Sequence, residues 1–141
     1  MRHVTALLLI LTTTTFSVMP ATAAYLCSYT ARISPSDKVN SKGVSIAKGY
    51  TNATVAGILR QDRANLYEFN KGDYEDSGDC LFSSKAARAN MQKSITAGNI
   101  PQYAKKIIVD GNPLINVDVY SSHIEVDILE SNYNRSQSRI R

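Results

Sequence analysis

Histidine is scarce in this chain: of 141 residues, only His3 and His123 carry an imidazole. His3 falls in a leader-like N-terminus, so a processed chain keeps His123 alone. One histidine cannot assemble the usual multi-histidine zinc sets, nor a Cys–His dyad once the cysteines are paired. Cysteine is as sparse, with Cys27 and Cys80 only, and tryptophan is missing altogether. No Gly-x-Ser-x-Gly elbow surrounds a serine, and there is no glycine-rich phosphate loop or dinucleotide fingerprint. No apolar run approaches the roughly 20 residues that a membrane-spanning helix needs. A surplus of one charge is lacking too. The 16 basic and 12 acidic side chains give a net charge of +4, and Arg2, Arg135, Arg139 and Arg141, all near the ends, account for it. A domain left near neutral offers nucleic acid no basic face.

What is present begins with a processing signal. Arg2 supplies a positive start, Val4 to Leu11 a short apolar run, and Ala21-Thr22-Ala23 a small-residue cleavage site. Residues 1–23 therefore read as a signal peptide, residues 24–130 as a single domain, and residues 131–141 as a flexible basic tail. The expected setting is periplasmic or extracellular, without a membrane anchor. A lipid anchor on Cys27 is disfavoured, because Ala24-Tyr25-Leu26 lacks the small residue such a cleavage site requires. Two cysteines in an oxidising compartment predict one disulfide, Cys27–Cys80. Closing a loop of about 54 residues is worth roughly 4 kcal/mol by chain entropy.

Periodicity predicts an α+β fold. Tyr25 to Ile33 alternates with period two, placing Tyr25, Cys27, Tyr29, Ala31 and Ile33 on one face of an N-terminal strand. Asn52 to Phe69 carries Val55, Ile58, Leu59, Leu66 and Phe69 as one helical stripe, with Asn52 or Thr54 as the cap. Ser83 or Ser84 caps a second helix running to about Ile95. The last third reads as a three-stranded antiparallel meander of Lys105–Asp110, Leu114–Tyr120 and His123–Leu129. A hairpin on Ser121-Ser122 sets Asp118 opposite Glu125, Asn116 opposite Asp127 and Val117 opposite Val126. A first turn through Gly111-Asn112-Pro113 would then bring Lys106 beside Asp118.

One residue breaks the pattern. Asp62 sits in the middle of the apolar stripe of the first helix, where a leucine is expected, with Arg60 and Arg63 to one side. A carboxylate there must be paired or hydrogen-bonded, since an unpaired buried charge costs several kcal/mol. Its partners are expected to be backbone amides or an arginine such as Arg32, Arg63 or Arg88, in an architectural role. The functional alternative makes Asp62 the acid or base of a glycan-cleaving pair, with Glu68 or the acidic loop Asp73–Asp79 as its partner. Glu68, its nearest helical companion, lies more than about 100° away around the wheel, which works against that pairing.

Two further acidic features stand out. Asp73, Glu75, Asp76 and Asp79 form a loop rich in the oxygen ligands calcium prefers, though without the EF-hand spacing; a solvated acidic loop is the plainer reading. The row Lys106, Asp118, Glu125 reads as a surface charge row, the lysine relieving two carboxylates that face each other across strands. His123 reads as a surface residue beside the hairpin turn.

Around Asn40-Ser41-Lys42-Gly43 and Ile58-Leu59-Arg60-Gln61-Asp62-Arg63-Ala64-Asn65 the text resembles small, uncharacterised exported bacterial proteins. That resemblance implies an envelope setting and transfers no residue roles. The expected function is a non-catalytic binding or accessory module acting on an envelope protein, with no cofactor. The alternatives are a carboxylate-based hydrolase of cell-wall glycan and a calcium-stabilised structural domain.

Overall fold

The sheet is built from three stretches that alternate apolar and polar residues: β1 (Tyr25–Arg32), β2 (Leu114–Tyr120) and β3 (Ile124–Glu130). They lie in the order β1-β2-β3, every neighbour antiparallel. These positions come from a computed structural model describing residues 22–131. Residues 1–21 of the 1–23 signal-peptide assignment and residues 132–141 of the 131–141 tail assignment lie outside the described residues.

The second hairpin has the predicted register, with Val117 opposite Val126, Asp118 opposite Glu125 and Asn116 opposite Asp127. The N–H of Tyr120 donates to the carbonyl of His123 at 3.0 Å, closing the turn. On the inner face, Tyr29, Val117 and Val126 make one row across the sheet, and Ala31, Ile115 and Ile128 the next. A one-residue slip would turn these rows to water, so burial of this face holds the register.

The third strand of the sheet is not the one expected. Lys105–Asp110 lies within a helix, Gln102–Asp110, and β1 takes the place beside β2. The run Ile107-Ile108-Val109 favours a strand by propensity, but propensity yields to burial. Ala104 and Ile108, one helical turn apart, are both buried. Lys106 is therefore on a helix and not next to Asp118, whose neighbours across the sheet are Ser28 and Glu125.

Three helices cover the inner face: α1 (Asn52–Tyr67), α2 (Lys85–Ala97) and α3 (Gln102–Asp110). The cap of α1 is Thr51, not Asn52 or Thr54, its hydroxyl accepting the N–H of Thr54 at 3.1 Å. Ser84 caps α2 in the same way. α1 stops before Phe69 because Asn70 turns left-handed at φ 51°. Val55, Ile58 and Leu59 of α1 and Met91 and Ile95 of α2 are buried against the sheet. Each such side chain contributes about 1.5–3 kcal/mol by leaving water.

Cys27 of β1 is bonded to Cys80, which lies between α1 and α2. The chain just before Cys80 also lies along the outer edge of β1. Ser77 exchanges hydrogen bonds with Thr30, its hydroxyl accepting at 2.8 Å and its N–H donating at 3.0 Å. Asp76 accepts the N–H of Arg32 at 2.8 Å. Among the described residues, no helix is long and apolar enough to cross a membrane.

Candidate functional site

α1 places chemistry on two of its faces. Toward the sheet, Asp62 and Arg63 are both sealed from solvent, at 0% exposure. Arg63 Nε donates to Asp62 Oδ2 at 2.7 Å, so the partner is the arginine next in sequence. Arg63 Nη1 donates to the carbonyl of Ser77 at 2.8 Å and lies 3.5 Å from Asp79 Oδ2. The guanidinium also sits over the ring of Tyr29, 4.2 Å from its centroid. Tyr67 extends the network, donating its hydroxyl to Asp79 Oδ2 and accepting the N–H of Asp79. Asp62 Oδ1 and Arg63 Nη2 are buried without a hydrogen-bond partner. Burial pushes the Asp62 carboxyl up to about 8, outweighing the pull of Arg63. The guanidinium stays charged. The group is thus a cross-brace between helix, sheet edge and the 73–80 loop.

The other two candidate arginines are occupied elsewhere. Arg32 ion-pairs with Glu75 and Glu130 on the outer face of the sheet. Arg88, buried at 3% exposure, donates to the carbonyls of Phe82 and Ser83 and pairs with Glu68.

The opposite face of α1 forms the floor of a groove of about 360 Å³. Gly57, Arg60, Gln61, Ala64 and Glu68 recur along it at helical spacing, with Lys85, Arg88 and Gln92 of α2 on one side and Asn40, Ser41 and Ile46 on the other. Arg60 donates to Gln92 at 2.7 Å. A second hollow of about 230 Å³ continues the groove toward Lys71, sharing Asn40, Ser41, Gln61 and Phe69. Phe69, expected in the core stripe, stands 43% exposed in this lining. The wall opposite α2 is held by its own turn chemistry. Asn40 Oδ1 accepts the N–H groups of Lys42 and Val44, and Gly43 adopts φ 73°, a conformation glycine takes without steric cost.

The acidic loop spends its oxygens on backbone donors. Asp76 accepts from Arg32 and Asp73, Asp79 Oδ1 accepts from Leu81 and Phe82, and Glu75 pairs with Arg32. Among the described residues, no group of three or more acidic, cysteine or histidine side chains is gathered as a metal site would require. On the outer face of the sheet, Asp118 accepts from Asn116 at 3.0 Å and sits opposite Glu125. His123 stacks on Tyr120 with centroids 4.6 Å apart, and its Nε2 lies 3.2 Å from Glu125.

Asp37 escaped the sequence reading. It is 1% exposed, accepts from Ser34 N–H at 2.7 Å, and accepts from Asn65 at 2.7 Å, locking the 3₁₀ turn Pro35–Lys38 onto α1. Ser34 three residues ahead of Asp37 is the capping-box signal that could have located it. Set against known protein families, curated proteins and solved structures, the chain matches none.

Proposed function

We propose that this chain is an exported, non-catalytic binding or accessory module that holds an envelope protein in the groove above α1. The observation that carries the reading is the lining of that groove. Among the described residues, Arg60 and Lys85 face it with no carboxylate partner, while Glu68 is taken up by Arg88. A cationic, half-apolar channel suits a partner better than a packed core. The Cys27–Cys80 bond supports an oxidising destination. Against the hydrolase alternative, Asp62 is fully enclosed and cannot touch a glycan without opening of the helix–sheet interface.

The test is site-specific photo-cross-linking in the host envelope. A cross-linking residue at Ser41, in the groove, is expected to trap one stoichiometric protein; the same residue at Asp127, on the outer sheet face, is not. Trapping from Asp127 alone, or recovery of glycan from Ser41, would overturn the reading.

A further inference from the structure

We propose that the groove takes an extended, acidic stretch of polypeptide whose backbone passes directly over Gly57. The inference rests on the binding-module reading and adds the chemistry of what is bound.

Gly57 carries the strongest pointer. It lies in the interior of α1, where glycine is the least favoured residue after proline. Nothing in the fold requires it. Its φ is not left-handed, and a Cβ built there would meet only Ile46 Cδ1, at 4.0 Å. The missing side chain therefore leaves open space on the groove floor. A glycine that weakens its own helix and faces an open channel marks a place where another backbone comes close.

The walls select the kind of chain. Arg60 and Lys85 stand with uncompensated charge, so the occupant is anionic. Two acceptors in the lining are engaged by arginines: Gln92 Oε1 receives Arg60, and Glu68 Oε2 receives Arg88. Gln61 beside Gly57 offers its side-chain carbonyl oxygen to a passing N–H, its amide nitrogen being held by Asn65. The exposed ring of Phe69 gives an apolar residue of the same segment a surface farther along. Alternating acidic and apolar residues on an extended backbone meet all these groups.

The probe is a fluorescein-labelled Glu-Ala repeat peptide, titrated against the oxidised full chain at low salt and read by anisotropy. A Gln-Ala repeat and polygalacturonate serve as competitors. The expected result is binding of the Glu-Ala peptide that neither competitor displaces. Arg60→Gln is expected to weaken it roughly tenfold, as loss of a charge-assisted hydrogen bond does. Lys106→Gln, removing an exposed cation on α3 outside the groove, should leave it unchanged. Gly57→Ala provides the sharpest outcome: affinity falls roughly tenfold while Tm rises, because alanine favours the helix. Affinity unchanged in Gly57→Ala, a lowered Tm in that variant, equal weakening by Lys106→Gln, or tighter binding of polygalacturonate would each overturn the proposal. If Ser41 cross-links an envelope protein but the Glu-Ala peptide does not bind, the inference fails and the binding-module reading stands. If both fail, both fall.

Discussion

Arg63 Nε holds Asp62 Oδ2 at 2.7 Å, and neither side chain touches water. Residues adjacent on a helix point about 100° apart, so the pair spans two directions at once. Asp62 faces the packed layer, and Arg63 reaches the 73–80 loop through Ser77 and the sheet through Tyr29. Removing the cation leaves Asp79 buried without its counter-charge and Asp62 without its hydrogen-bond donor. Arg63→Met is expected to destabilise the fold by about 3–5 kcal/mol in urea melts. A loss under about 1 kcal/mol would show that the cross-brace carries little of the stability.

The same pair sets a pH dependence. The Asp62 carboxyl titrates near 8 in the folded chain, raised by burial, against an ordinary value of 3.8. Because the folded form binds the proton more tightly, this contribution is complete below the unfolded value. It is lost as pH rises toward about 8. Asp37 and Asp76, also raised chiefly by burial, act in the same direction. Tm is therefore expected to fall between mildly acidic and mildly alkaline buffer, and Asp62→Asn should flatten that slope. A slope of the opposite sign in the parent chain would refute the assignment.

Calcium should leave the domain unmoved. Asp76 and Asp79 point their oxygens at backbone N–H groups and at the Arg63 brace, not at a shared centre. Melts in EDTA and in millimolar calcium are expected to superimpose. A Tm that rises with calcium would restore the loop as a cation site.

Asp118 and Glu125 face each other across β2 and β3, and among the described residues neither forms an ion pair with a lysine, though His123 Nε2 lies 3.2 Å from Glu125. Like charges so placed cost a few tenths to about 1 kcal/mol. Glu125→Lys is expected to stabilise the hairpin by about that amount at low salt, the gain shrinking as salt screens it. Equal stability of the two chains at low ionic strength would mean the facing carboxylates do not interact.

Where a single face decided the outcome, the residues could be read in advance. The alternation at Tyr29-Ala31-Ile33 and at Val117 and Val126 admits one buried side, and Cys27 lies on it. Asp62 announced itself by occupying an apolar stripe. The failure at Lys105–Asp110 came from a short β-branched run whose length suits either element; only the arrival of β1 beside β2 decides it, and that pairing joins residues far apart in the chain. The groove was illegible for a related reason. Arg60 and Gln61 look like ordinary solvent-facing helix residues until α2 and the Asn40–Ile46 turn close in on both sides.

The loop that exchanges hydrogen bonds with Thr30 and Arg32 has a consequence for solubility. An open strand edge is a template on which a second chain can add, and crowded unfolded or half-folded chains exploit it. Here one margin of the sheet is occupied by Asp76 and Ser77, and the Cys27–Cys80 bond tethers that segment close by. Reduction would loosen the tether before it melts the core, exposing the edge of β1 while the rest of the sheet is still paired. The first symptom of a reducing environment should then be self-association of nearly native molecules, with the covalent link acting as a guard on the strand's free margin.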